Sequence, residues 1–299
     1  MKNNVIIIGS RSAGLILGYY LKPEILKIYL GKGFAYEKLQ KKCTVILGGN
    51  SKEVLRINNI EKGNYESFSN TKDIFIAVRD PDLNVVVKKF ENYLEDKNVY
   101  VLTSTNSGYN EVKSFLSNSF VFQTILLNGI NYLSPSTIHL VGKPKKIHFL
   151  AESNYLKKLE VNVNGLFRDN LFHISNKDNL HDGNNNIMFI RYAKTLLSLL
   201  CLRYKLNIYD IIETHYLELD NLLNELALLL KTDTSLKNQF ISEIIEDNDI
   251  LGYYTSYYLN KYVRFKIDSE WKYFIKDINA LMTSEEEFNN LSKFINMDF

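Results

Sequence analysis

The sequence predicts an α/β domain built on a doubly wound, mostly parallel sheet, followed by an all-helical domain. Three observations lead there. Short apolar runs bounded by turn residues alternate with helical patterns through the first half of the chain. The first of these runs, Val5-Ile6-Ile7-Ile8, passes directly into a glycine-framed turn and a helix start. From Asn184 onward the pattern is helical almost throughout.

The expected strands are Val5–Ile8, Ile28–Leu30, Thr44–Leu47, Ile74–Val78, Val99–Leu102 and Val121–Leu126. Helical patterns lie between several of them, at Leu15–Leu21, Leu83–Leu94 and Tyr109–Leu116. Two further β-rich pieces, Thr137–Val141 and Lys146–Leu150, flank Gly142-Lys143-Pro144-Lys145. They are expected to form a hairpin that extends the sheet at its far end. Asn184-Asn185-Asn186 supplies N-cap residues, and Ile190, Ala193, Leu197 and Leu200 follow at three- and four-residue spacing. Later helices are expected over Ile208–Leu230, Leu236–Glu246, Ile250–Val263 and Glu285–Ile295. The polar stretch Asn176–Asn184 holds the boundary, giving domains 1–180 and 181–299.

The turn after the first strand reads Gly9-Ser10-Arg11-Ser12-Ala13-Gly14. In a Rossmann domain this place carries G-x-G-x-x-G and seats a dinucleotide pyrophosphate on the N–H groups of the first helix. Gly9 suits the tight turn, and Gly14 suits close packing of helix on strand. Arg11 replaces the middle glycine, and a guanidinium there is able to lie on a phosphate. An ordinary ligand-free βα turn has the same pattern.

Composition sets limits. The 299 residues suffice for two domains, with 45% hydrophobic and 23% charged residues, as in soluble globular proteins. A net charge of +2 gives no ground for a nucleic-acid partner. Cys43 and Cys201 are the only cysteines, too few for a metal cluster. The apolar start leads into a turn rather than a cleavage site, and Arg191, Lys194 and Arg203 interrupt the one long apolar stretch. A cytoplasmic protein with no membrane partner and no metal is the expectation.

Several strings resemble the opine dehydrogenase family, within the superfamily that also holds ketopantoate reductases and 6-phosphogluconate dehydrogenases. VYVLTSTNSGYNEVKSFL, Val99 to Leu116, is similar to that family's strand, loop and helix. QTILLNGINY and HLVGKPKKIHFLAES, within Gln123 to Ser153, are similar to its closing strand and hairpin. NLHDGNNNIMFIRYAKTLL is similar to the opening of its helical domain. NDILGYYTSYYLNKYVRFKIDSE, Asn248 to Glu270, resembles the staphylopine-type opine-metallophore enzymes, although the helical half here is shorter. The resemblance implies a Rossmann domain, a helical substrate domain, and catalysis in the cleft between. It also implies NAD(P)H-dependent condensation of an amino acid amine with a 2-oxo acid, and a possible homodimer. A ketopantoate-reductase-like reduction of a 2-oxo acid, with Lys194 and Glu213 in the roles of lysine and acid, is the alternative. A homologue that binds nucleotide without turnover is another.

Individual residues follow. Lys32, after the second strand, suits a ribose 2′-phosphate and so favours NADP over NAD; an exposed loop lysine is the other reading. Ala77, Val78, Ser104 and Asn106 lie at carboxyl ends of expected strands, the edge that faces cofactor and substrate. Asn106 matches an asparagine of ketopantoate reductases by resemblance. Asn128 stands where the staphylopine-type enzymes carry an aspartate, and a turn at Asn128-Gly129 explains it equally well. The family's histidine is missing from Ile190-Arg191-Tyr192. His181 in the linker is the nearest substitute, and a solvated linker histidine is its plainer reading. Arg191 is suited to a substrate carboxylate or to the polar face of an amphipathic helix.

Overall fold

The computed structural model describes residues 4–32, 34–48, 53–103, 105–178, 184–246, 261–282 and 288–297. They fall into two compact units, Met1–Asn179 and Leu180–Phe299. The first unit begins with β1 (Asn4–Ile8), α1 (Ser12–Tyr20), β2 (Leu26–Leu30), α2 (Phe34–Glu37), β3 (Cys43–Leu47), β4 (Glu53–Ile57) and β5 (Ile60–Lys62). It continues with β6 (Asp73–Ile76), α3 (Asp80–Leu94), β7 (Asn98–Leu102), α4 (Asn106–Phe115) and β8 (Phe120–Ile125). It closes with β9 (Ile130–Ser134), β10 (Thr137–Leu140), β11 (Ile147–Ala151), α5 (Leu156–Leu166) and β12 (Phe172–Asn176).

Eight strands form the main sheet in the order β12-β11-β8-β7-β6-β1-β2-β5. From β5 to β8 every pairing is parallel, and β11 joins β8 antiparallel. This is the doubly wound Rossmann architecture that the sequence predicts. The unbroken apolar run of β1 follows from it, because both faces of a central parallel strand are covered. Val5 and Ile7 enter one core layer, while Ile6 and Ile8 enter the other.

A second, four-stranded sheet runs β4-β3-β10-β9 and overturns one expectation. Thr137–Val141 and Lys146–Leu150 are not a hairpin. The strand β10 pairs with β3 and β9, whereas β11 belongs to the main sheet. Burial decides this: Ile138 and Leu140 stand opposite Val45 and Leu47, and all four are buried. The helix α1 explains the second sheet's position. SAGLILGYY has no polar face, and every residue from Gly14 to Tyr20 is buried, as a helix covered on all sides requires. A Cβ on Gly18 would lie 2.7 Å from Ile57 of β4 and 3.6 Å from the Tyr29 hydroxyl of β2, so α1 packs between the two sheets.

The described part of the second unit is helical: α6 (Asn184–Tyr204), α7 (Ile208–Thr214), α8 (Tyr216–Leu229), α9 (Ser235–Glu246), then Lys261–Leu281 and Asn289–Ile295. The single helix expected over Ile208–Leu230 is two. His215 leaves helical geometry at φ −122°, ψ 24°, and its ring stacks on Tyr204 at 3.7 Å. Residues 250–260 of the helix expected over Ile250–Val263, and the start of the one expected over Glu285–Ile295, lie outside the described residues.

Candidate functional site

The strand order reverses at β1, which has β2 on one side and β6 on the other. In an open α/β sheet the crevice beyond the carboxyl ends at such a point is where ligands sit. Three strand ends meet there. The Gly9 N–H donates to the Leu30 carbonyl of β2 at 2.8 Å, and the Ala77 N–H donates to the Ile8 carbonyl of β1 at 2.8 Å.

Clearance in this turn is nil. Gly9 has φ +114°, and a Cβ on it would stand 2.3 Å from the Ala77 carbonyl oxygen. A Cβ on Gly14 would stand 1.9 Å from the Gly9 carbonyl oxygen. Both positions therefore demand glycine, one for backbone conformation and both for close approach. The turn brings α1 down tightly, and the Tyr29 hydroxyl fixes the helix by donating to the Gly14 carbonyl at 3.1 Å.

The helix start is suited to an anion. Arg11 is the N-cap in extended geometry with no side-chain capping bond, and the first turn holds no acidic residue. The positive end of α1 is thus not neutralised by a cap of its own. Arg11 is exposed, Ser12 and Ala13 are half-buried, and Ser10 is buried. Arg11 lies close enough to Tyr132 of β9 for its charge to oppose the upward push of burial on that phenol's pKa. Lys32 is exposed just beyond β2. These residues fit a dinucleotide's diphosphate by their backbone geometry and by their charge.

A buried polar network continues the same edge, and the sequence pattern did not reveal it. Asp80, in the first turn of α3, accepts from the Thr105 hydroxyl at 2.8 Å. Thr105 caps α4 by accepting from the Gly108 N–H at 3.1 Å. The Gln123 amide of β8 donates to the Thr105 carbonyl at 3.2 Å. The network locks the starts of two helices against neighbouring strand ends, so the platform is rigid. Its bonded pairs Asp80–Thr105 and Thr105–Gln123 are 25 and 18 residues apart in sequence; only the positions of Asp80 and Thr105 just after β-runs could have flagged them.

The remaining expected site residues are scattered. Ala77 is buried and Val78 half-buried at the end of β6, and Asn106 is half-buried at the first position of α4. Asn128 is put to structural use. Its amide nitrogen donates to the Val141 and Lys143 carbonyls, both at 2.9 Å, and its oxygen accepts from the Lys145 N–H at 2.7 Å. Both amide hydrogens are thereby committed to the loop between β10 and β11, in keeping with the turn reading of Asn128-Gly129. Arg191 and Lys194 are half-buried on α6, one turn apart, while Glu213 is exposed on α7. Ser104 and His181 lie outside the described residues.

Comparison with known proteins adds the following. A ketopantoate reductase of the PanE/ApbA family from Ralstonia eutropha JMP134 matches with a TM-score of 0.68 at 11% identity, over 98% of this chain and 97% of that one. A 2-dehydropantoate 2-reductase from Porphyromonas gingivalis W83 matches at 0.64 and 13% identity, over 98% and 99%. D-mandelate dehydrogenase in complex with NADH matches at 0.65 and 12% identity, over 98% and 95%. At such identities the likeness is one of fold. No protein-family model matches the chain, and no curated protein matches it.

Proposed function

We propose that this protein is a nicotinamide-dinucleotide-dependent oxidoreductase that reduces a small 2-oxo acid, with NADPH as the favoured coenzyme. The observation that carries the reading is the zero-clearance turn Gly9–Gly14 at the strand-order reversal, beside an uncapped helix start. The backbone of residues 10–14 and the Arg11 guanidinium would hold the diphosphate, and Lys32 would reach the ribose phosphate. Asn106 at the start of α4, with Ala77 and Val78 after β6, would line the nicotinamide side, and Ser104 is assigned there from the sequence. Bound there, the reduced nicotinamide supplies hydride to the substrate carbon. Arg191 supplies a fork matched to a substrate carboxylate. Lys194 and Glu213 would take the roles of lysine and acid in this reduction, whereas His181 would serve the condensation reading that follows. The solved structures of like fold support the substrate class, since D-mandelate dehydrogenase is also known with NADH and anilino(oxo)acetate.

A second reading, reductive condensation of an amino acid with the 2-oxo acid, is favoured by the opine-like strings at Val99–Leu116 and Gln123–Ser153. NADPH oxidation by the purified protein separates the two. Consumption with a panel of 2-oxo acids alone supports direct reduction, and consumption that requires an added amino acid supports condensation. Coenzyme binding without consumption under any pairing refutes both and leaves a nucleotide-binding protein. The homodimer that the family resemblance implies is checked by sedimentation of the full chain.

A further inference from the structure

Resting on the dinucleotide reading above, we propose that Tyr36 and Lys62 complete, with Lys32, the seat of an adenosine 2′-phosphate. The strand β5 is a short edge strand parallel to β2, with Lys62 opposite Tyr29. The strands lie roughly 5 Å apart, so Lys62 leaves the carboxyl end of β5 beside Tyr29, and Gly31-Lys32 follows two to three residues further along β2. This is the side of the reversal point away from β6, where the adenosine half of a dinucleotide belongs.

The Tyr36 ring joins the parts. Its hydroxyl donates to the Gly63 carbonyl at 2.9 Å, tying α2 to the end of β5. Lys62 Nζ stands 5.5 Å from the ring centroid and donates to the Glu37 carbonyl at 2.7 Å. An ammonium has three donors, so two are left for a ligand. Gly31 is wedged between the ring and the phosphate turn: a Cβ there would be 3.4 Å from the Tyr36 Cβ and 3.1 Å from the Ser10 hydroxyl. One continuous surface thus leads from the glycine turn through Gly31 to an aromatic ring carrying a cation.

The residues after β2 are also of the right sign. A domain that binds the unphosphorylated ribose places an acid at this strand end to accept from the 2′-hydroxyl. Here the strand continues Gly31-Lys32, and Lys62 adds a second positive charge on the next strand. Two cations fit a phosphate monoester dianion, whereas a free 2′-hydroxyl gains little from either.

Calorimetric titration with NADPH and NADH, repeated with 2′,5′-ADP and 5′-ADP, tests the assignment. For the unaltered protein, tighter binding of the 2′-phosphorylated member of each pair is expected. Lys62→Met keeps the aliphatic stem and removes the charge. It is expected to weaken NADPH and 2′,5′-ADP roughly ten- to hundredfold, the span of a charge-assisted hydrogen bond, and to leave NADH within about twofold. Lys62→Arg is expected to retain most of the preference. Unchanged NADPH binding in Lys62→Met, or equal losses for both coenzymes, overturns the role of Lys62. Failure of the unaltered protein to bind any of the four overturns the dinucleotide reading itself.

Discussion

The two edges of the main sheet both close polar groups upon one another, but only the carboxyl edge adds a helix start with no side-chain cap. At the amino edge the polar groups are closed upon one another. Lys27, almost wholly buried, donates to the Ile25 carbonyl at 2.9 Å and to the Lys22, Pro23 and Asn58 carbonyls at 3.3 to 3.4 Å. Asp73 accepts from Asn98 at 2.9 Å and from the Tyr100 hydroxyl at 3.1 Å. Burial raises the Asp73 pKa against the pull of those two bonds. At the carboxyl edge, by contrast, two glycines hold an uncapped helix start against strand ends. Self-satisfied polar groups serve stability, whereas a helix start with no side-chain cap and no acidic residue in its first turn suits an anionic ligand.

The contrast is breakable by mutation, the largest effect first. Gly14→Val forces a side chain into the Gly9 carbonyl and is expected to cost about 3 kcal/mol or more in urea unfolding. Coenzyme binding should disappear with it. Asp73→Ala, at the other edge, strands Asn98 and Tyr100 and is expected to cost roughly 2 kcal/mol. There the coenzyme Kd should not change, and a tenfold loss would erase the distinction between the edges.

A pH experiment sharpens the same point at the sheet's far end. Burial, with the neighbouring His173, Lys146 and Lys145, pushes the His148 pKa down from 6.5 to about 4. The unfolded chain therefore takes up this proton near pH 6.5 and the folded chain only near pH 4. Stability from this site is complete above pH 6.5 and falls as pH drops toward 4, by roughly 2 kcal/mol for a partly buried group. His148→Gln should flatten that part of the denaturation profile. The smallest expected change concerns α6: Arg191→Lys should raise the KM for the 2-oxo acid several-fold, with coenzyme affinity held. A fall in kcat with KM unchanged would count against carboxylate binding.

Legibility followed distance along the chain. The β1 turn and α1 could be read because a buried strand, two obligatory glycines and an apolar helix lie within twenty residues. The second sheet could not, because β3 finds its partner β10 some ninety residues later, and apolar periodicity names no partner. The strands β4, β5 and β9 and the helix α5 escaped for a related reason. IEK carries one apolar residue in three, and Val54, Leu55 and Ile57 of EVLRI do not alternate strictly with polar neighbours. At His215 no glycine or proline announces the break between α7 and α8, so the periodic leucines ran on. In the candidate site, Gly9, Gly14 and Lys32 were readable as a local motif, while the Asp80–Thr105–Gln123 network exists only once three strands lie side by side. The loop-pinning bonds of Asn128 were not readable, because they exist only once β10 and β11 part into separate sheets.

The burial of α1 between two sheets has a consequence for how the polypeptide emerges from the ribosome. The outer flank of this helix is covered by β3, β9 and β10, and the last of these ends at Leu140. At about 5–20 residues per second, seconds elapse between synthesis of the helix and arrival of its lid. Throughout that interval the apolar helix, buried in the finished fold from Gly14 to Tyr20, lacks this cover, which makes the nascent N-terminal half a natural client for chaperones.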